Sequence, residues 1–212
     1  MCSGRVDLEF ILRAFANGQD GVFIGGCRLD ECNYVTHGNY DALSNTFIAR
    51  KILQQIGLNP ERLNIEFMSG GEGTVLVRVI NDFSKRIREI GPLGTAEGID
   101  NKTLRLRLRA AQKIVPYVKL VEREKMRVPQ KSEKAYREYF ASEEMSRLYD
   151  ELIRDKLVVS QITELLADGP LSTKSIAEAL DLKAQDVSRH MNLTSRQGVV
   201  KYDTELNCYA LS

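Results

Sequence analysis

The stretch that most constrains this chain is residues 25–40, GGCRLDECNYVTHGNY. It combines two of the four cysteines, Cys27 and Cys32, with several glycines and one of the two histidines, His37. The apolar run Val22-Phe23-Ile24 leads directly into it, which predicts a strand that ends in a loop. Because open α/β sheets bind ligands and cofactors beyond the carboxyl ends of their strands, we expect an α/β fold with its chemistry at this loop.

The cysteines permit more than one kind of site. Cys2 precedes the first predicted helix, so we expect it at the same edge of the sheet as Cys27 and Cys32. Thiolates bind iron–sulfur clusters, usually four per cluster, and a Cys-x4-Cys spacing is compatible with them. Structural zinc favours closer cysteine pairs or sets containing histidine, and His37 is the histidine at hand. Cysteines also serve as small core residues. The strand-end position favours a metal centre.

The overall composition is that of a soluble protein with a sizeable core. The chain has 212 residues, of which 43% are hydrophobic, and a net charge of +1. No apolar run of about 18 residues and no export leader are present, so we expect neither a membrane span nor secretion. A reducing cytoplasm keeps thiols free for metal, and we expect a cytoplasmic protein.

Apolar periodicity predicts alternating helices and strands in the first part of the chain. The predicted elements are helices over residues 8–16, 41–56 and 72–90 and strands over residues 21–24 and 63–68. This order implies a small parallel sheet with flanking helices. Asp7 is the expected cap of the first helix. Cys2 would follow a strand that lies upstream of this sequence.

Several sequence blocks occur in a characteristic order between residue 2 and about residue 92. They are Cys2-Ser3-Gly4-Arg5-Val6-Asp7, Gly21-Val22, Gly26-Cys27, Cys32-Asn33-Tyr34, Gly38-Asn39-Tyr40, LQQIGLNPER over residues 53–62, Glu72-Gly73 and Gly91-Pro92. This part of the chain resembles the methyl-viologen-reducing hydrogenase delta subunit family, which also occurs fused to or beside heterodisulfide-reductase-like flavoproteins. The resemblance covers somewhat less than half of the chain.

The resemblance implies an electron-transfer subunit with one [2Fe–2S] cluster. Such a subunit passes electrons between a hydrogenase or other dehydrogenase and a heterodisulfide-reductase-like flavoprotein, in a hetero-oligomer. The positions that match the family's cysteine pattern are Cys2, Cys27 and Cys32. Family members begin earlier, with a strand and a further cysteine loop, and carry His-Pro-Gly-Asp where this chain has residues 28–31, RLDE.

Three explanations of the missing beginning stay open. The gene start was assigned too late, the subunit is shortened and borrows a ligand from a partner, or the fold no longer holds a cluster. Three local thiols cannot complete a four-thiolate site unless Cys208 joins them. Cys208 lies in an alternating segment near the C-terminus, where we expect a core residue.

The segment 102–137 is strongly basic, with twelve Lys or Arg, three Glu and a local net charge of +9. Its apolar residues recur at helical spacing, so we expect the charges on the outer face of an amphipathic helix that is kinked at Pro116. This pattern favours a connector that lies on a neighbouring subunit over a nucleic-acid-binding segment. A second helical stretch is predicted over residues 132–156.

The tail has the pattern of a winged helix-turn-helix. Helices are predicted over residues 158–167, 173–180 and 183–197, followed by a hairpin of residues 199–202 and 206–211. The predicted core residues are Leu165, Ile176, Ala177, Leu180, Val187 and Leu193. The predicted organisation is therefore an iron–sulfur α/β domain (1–95), a basic helical connector (96–156) and a winged-helix domain (157–212).

A winged helix most often binds DNA through its second helix. The candidate DNA-reading residues here are Lys183, Gln185, Ser188, Arg189, His190 and Asn192. Residues 157–212 carry a net charge of −2, which disfavours phosphate binding and favours a docking role without nucleic acid. We expect His190 at the surface or in a cap. The alternative functions are a redox-sensing DNA-binding regulator and a cluster-free structural adaptor.

The glycine-rich run at residues 70–73 and His37 are the remaining candidates for a binding role. The run Gly70-Gly71-Glu72-Gly73 precedes a helix but lacks the lysine and the spacing of a P-loop, so it predicts a strand-to-helix turn. His37 could tune a cluster through a hydrogen bond to sulfur, although a solvated loop position is favoured. No arrangement of nucleophile and base is present, and we expect no bond chemistry from this chain.

Overall fold

The computed structural model describes residues 2–34 and 38–212 and shows a mixed α/β fold with many helices. The helices are α1 (Leu8–Ala16), α2 (Asn39–Gln55), α3 (Gly73–Ile90), α4 (Asn101–Lys113), α5 (Val115–Lys125), α6 (Glu133–Ala141), α7 (Glu143–Tyr149), α8 (Asp155–Leu166), α9 (Thr173–Leu180) and α10 (Ala184–Arg196). The strands are β1 (Val22–Gly26), β2 (Leu63–Phe67), β3 (Val200–Asp203) and β4 (Cys208–Leu211). None of the helices within these residues has the length and apolar character that a membrane span requires.

The predicted parallel sheet is confirmed. β1 and β2 pair in parallel, from Val22 opposite Leu63 to Gly26 opposite Phe67, and α2 is the crossover between them. Such a pairing requires a long connection, which a helix provides. Both strands therefore end at the same edge, and the cysteine loop continues from the end of β1.

Local sequence signals set the bounds of α1. The Asp7 carboxylate accepts a hydrogen bond from the backbone N–H of Glu9 at 3.0 Å, as an N-cap does. The helix ends before Gly18, whose positive φ of 84° suits a glycine. Four apolar side chains at helical spacing are buried, and both predicted bounds are confirmed. The buried side chains are Leu8, Ile11, Leu12 and Phe15.

Helices α4 and α5, which lie largely in the basic segment 102–137, pack against this chain's own core. Leu108 and Val118 are buried in the same apolar cluster as the helices around the sheet. On α4, Leu104 and Leu108 face that cluster, whereas Leu106 belongs to a second cluster formed with α8, α9, α10 and β3. α4 thus lies between two cores. Where a kink at Pro116 was predicted, the structure has a break between two helices at Ile114: α4 ends at Lys113 and α5 begins at Val115.

The C-terminal part consists of helices followed by an antiparallel hairpin, with Val200 opposite Leu211 and Asp203 opposite Cys208. Two predictions in α10 are wrong. His190 is only 3% exposed and its Nε2 lies 3.8 Å from Asp155, whereas Leu193 is 51% exposed. The reason is helical phase: Val187, His190, Met191 and Thr194 form the buried face.

A buried ion pair joins the ends of several elements. Arg62 is 0% exposed, and its guanidinium donates to Glu97 with Nε–Oε1 at 2.6 Å and Nη2–Oε2 at 3.0 Å. It also donates to the carbonyl groups of Asp20, Gly91 and Pro92. This one side chain therefore connects the beginnings of both strands to the turn after α3.

We predict that Arg62→Leu destabilises the protein by about 3–5 kcal/mol, because Glu97 would be left as an uncompensated charge. Urea unfolding measures the difference. The matched control is Arg86→Leu, since Arg86 forms an exposed ion pair with Glu61 at 3.0 Å and such pairs contribute about 0–1 kcal/mol. Equal effects of the two changes would contradict the assigned role of Arg62.

The same pair predicts a pH dependence. Burial raises the pKa of Glu97, but hydrogen bonds from Arg62 and from the backbone N–H groups of Asn59 and Gly94 outweigh it, so the net pKa lies below the usual 4.5. A lowered folded-state pKa gives stability that is present above the unfolded pKa and is lost as the pH falls through the folded pKa. We expect the stability advantage of the wild type over Glu97→Gln to shrink below about pH 4.5. Unfolding curves collected from pH 7 to pH 3 test this; a constant difference would refute it.

Candidate metal centre

Three thiols from separate loops come together at the carboxyl edge of the sheet. Cys2 caps the short helical turn Ser3–Arg5, Cys27 directly follows β1, and Cys32 follows the turn Leu29–Glu31. The Sγ atoms of Cys2 and Cys32 lie 3.7 Å apart. Cys32 and Cys2 are also close enough to Cys27 to raise the pKa of its thiol.

Backbone N–H groups point at these sulfur atoms. Gly4 donates to the Cys2 sulfur at 3.4 Å. Burial raises the pKa of Cys32, but the N–H groups of Tyr34 and Asn39 and the thiols of Cys2 and Cys27 outweigh it, so the net pKa is lowered. Asn39 is the first residue of α2, where free N–H groups favour an anion. The lowered pKa favours the thiolate of Cys32, which is the form that binds metal.

Cys27 has the opposite tendency. Burial, then its hydrogen bond to Cys32 and the nearby charges of Cys32 and Cys2, raise the pKa of its thiol. The side chain is nevertheless exposed, while Cys2 and Cys32 are half-buried. Three thiolates here would repel one another, and a cation bound among them would offset that repulsion.

Two glycines allow the loops to approach this closely. A methyl group at Gly4 would overlap the carbonyl group of Gly38, and one at Gly38 would lie 2.7 Å from the Cys32 sulfur. The turn before α1 and the start of α2 therefore meet backbone to backbone. Side chains at either position would separate Cys2 from Cys32.

The donor set fits a thiolate metal in part. Tetrahedral coordination with metal–sulfur bonds of about 2.3 Å places neighbouring sulfurs about 3.8 Å apart, close to the Cys2–Cys32 distance of 3.7 Å. Within residues 2–34 and 38–212, no group of three or more His, Cys, Asp or Glu side chains is placed so that it could hold a metal ion. Cys208 stands opposite Asp203 in the C-terminal hairpin. His37 lies outside the described residues.

Sequence reasoning did not assign roles to three residues beside the thiols. Asn39 donates side-chain hydrogen bonds to the cysteine loop. Arg28 forms an ion pair with Glu72, whose carboxylate also accepts from the backbone N–H of Ser69 at 2.7 Å. Residues 68–72 form the predicted strand-to-helix turn, and the Glu72 carboxylate closes it. The block Gly38-Asn39-Tyr40 was the available sequence signal, but it does not show which groups Asn39 would contact.

Known proteins resemble the part of the chain that contains this site. Residues 1–91 match the family model of methyl-viologen-reducing hydrogenase, delta subunit. An iron-sulfur subunit of the F420-non-reducing hydrogenase of Archaeoglobus profundus is 46% identical over 91 residues, which are 43% of this chain and 66% of the relative. The vhu iron-sulfur subunit of the F420-non-reducing hydrogenase of Methanopyrus kandleri is 39% identical over 92 residues, 43% of this chain and 69% of the relative.

The same segment also resembles part of a larger protein. One subunit of the ferredoxin/F(420)H(2)-dependent CoB-CoM heterodisulfide reductase of Methanosarcina acetivorans is 46% identical over 95 residues, which are 45% of this chain but only 12% of that relative. The similarity to the smaller hydrogenase subunits covers up to 69% of their length. The family model spans residues 1–91, which contain Cys2, Cys27 and Cys32. Through residues 1–91, the chain belongs to the methyl-viologen-reducing hydrogenase delta subunit family.

Proposed function

We propose that this protein is an electron-transfer subunit that carries a [2Fe–2S] cluster. It would relay electrons between a hydrogenase or other dehydrogenase module and a heterodisulfide-reductase-like flavoprotein, in a hetero-oligomeric complex. The observation that carries the proposal is the convergence of Cys2, Cys27 and Cys32 at one partly exposed edge of the sheet. The names of the hydrogenase relatives, which are iron-sulfur subunits, support it.

The three thiolates would hold the cluster, which supplies a one-electron carrier when bound. Backbone N–H groups of Gly4, Tyr34 and Asn39 would stabilise the negative charge on the sulfur ligands. Such a cluster normally has four protein ligands. We propose that the fourth is supplied by a protein group that covers this edge, since Cys208 belongs to the C-terminal hairpin.

We further propose that residues 1–95 form the iron–sulfur domain, residues 96–156 a basic helical connector and residues 157–212 a winged-helix domain used for protein docking. Helices α8 to α10 and the β3–β4 hairpin support the winged-helix assignment. In the helix that would read DNA, Arg189 lies 3.6 Å from Asp155 and 3.9 Å from Asp186, and His190 is buried. These acidic neighbours favour a protein partner over phosphate.

The cluster is tested by iron and acid-labile sulfide analysis and by the visible spectrum of the complex, purified without oxygen from its native host. We expect about two irons per chain and their loss in Cys27→Ser and Cys32→Ser, because each change removes a thiolate ligand. Cys208→Ser is the matched control and should keep its iron. Iron retained in the Cys27 and Cys32 variants, or an active complex without iron, would overturn the proposal.

The docking role is tested by mixing the purified complex with duplex DNA at low salt. We expect no salt-sensitive binding, because residues 157–212 carry a net charge of −2 and DNA affinity depends on neutralising phosphates. Fluorescence anisotropy of labelled duplexes measures it. Tight DNA binding that weakens steeply with salt would contradict the docking role. It would support the alternative function, a redox-sensing DNA-binding regulator.

A further inference from the structure

We infer that Asn39 is a positioning residue that clamps the cysteine loop and tunes the cluster through the sulfur of Cys27. The tuning rests on the proposed function, because it requires a bound cluster. The clamp does not, since it is formed between groups of this chain alone.

The clamp consists of three contacts from one amide group. Asn39 Nδ2 lies 2.8 Å from the carbonyl oxygen of Cys27, 2.7 Å from that of Arg28 and 3.6 Å from the Cys27 sulfur. An amide has two N–H donors, so one of them is shared between a carbonyl oxygen and the sulfur. Through its backbone N–H, the same residue also lowers the pKa of the Cys32 thiol. Asn39 therefore acts on both cysteines of the loop.

The amide can take only one orientation. Exchanging Oδ1 and Nδ2 would bring an oxygen against two carbonyl oxygens, so the donors must face the loop. In this orientation Oδ1 is buried and has no hydrogen-bond partner among the described residues. The whole side chain is 0% exposed. Burying Oδ1 without a hydrogen-bond partner costs free energy. The cost arises from the orientation that places both N–H donors of the amide on the cysteine loop.

The chemistry follows from the change of charge on reduction. An added electron increases the negative charge on the cluster and its sulfur ligands, and N–H donors to sulfur stabilise that charge and raise the reduction potential. The shared N–H of Asn39 is such a donor. Removing it should make the cluster harder to reduce.

The experiment compares Asn39→Asp and Asn39→Ser with Asn45→Ala in the iron-loaded complex. Asp preserves the shape but removes the donors and adds a negative charge, whereas Ser keeps a small side chain at the start of α2. Asn45 is a matched control on the same helix, because its Nδ2 donates to the carbonyl of Val6 at 3.0 Å and has no hydrogen bond to sulfur within residues 2–34 and 38–212. Redox titration followed by visible or electron paramagnetic resonance spectra gives the midpoint potential.

Both Asn39 variants should shift the midpoint to more negative values, with Asp shifting it further. Loss of one hydrogen bond to a charged group should lower the ratio of reduced to oxidised cluster about tenfold at a fixed potential. For a one-electron couple, this corresponds to a shift of the midpoint potential of about 59 mV. Asn45→Ala should leave the potential unchanged. An unchanged potential in both Asn39 variants would overturn the tuning role.

A second measurement needs no cluster. In the metal-free chain, trypsin cleavage after the exposed Arg28 should speed up in both Asn39 variants, because the carbonyls of Cys27 and Arg28 lose their donor. Asn45→Ala should cleave at the wild-type rate. Equal rates in all four proteins would overturn the clamp. A wild type that binds no iron would instead defeat the proposed function and the tuning, while the cleavage rates still decide the clamp.

Discussion

The thiol group depends on a backbone contact that leaves no room for side chains. The turn Ser3–Arg5 meets the residue before α2 at Gly4 and Gly38, and the Cys32 sulfur lies against the same point. This close approach places the Sγ atoms of Cys2 and Cys32 3.7 Å apart and brings the first N–H group of α2, that of Asn39, beside the Cys32 thiol. The sheet, the N-terminus of α2 and the two glycines together determine where the cysteine sulfurs lie. The parallel pairing of β1 with β2 sets the point at which the cysteine loop leaves the sheet.

Local signals in the sequence predicted much of this fold. Asp7 and Gly18 are sufficient to set the bounds of α1, and the alternation of helices with short apolar runs predicted the parallel pair. The expectation that Cys2 lies near the other two cysteines followed from its place before the first helix. Capping, periodicity and chain connectivity are properties of neighbouring residues, so they can be read without coordinates.

Contacts between distant residues could not be predicted in this way. Arg62 reaches three carbonyl groups and Glu97, and the sequence does not indicate that an arginine would be fully buried. Asn39 was visible only as a member of a sequence block. In α10 the periodic pattern admitted more than one helical phase, and the phase that buries His190 and Met191 leaves Leu193 exposed.

Because α4 lies between the two apolar clusters, it connects the packing of the C-terminal part to that of the sheet. Leu106 is held among the C-terminal helices, while Leu104 and Leu108 are held in the core that includes α1. α4 packs directly on α1 and on α8, and Arg109 and Lys113 of α4 form ion pairs with Glu164 of α8. α1 begins a few residues after Cys2. The C-terminal hairpin is therefore connected, through the packed helices α8, α4 and α1, to the segment that carries Cys2.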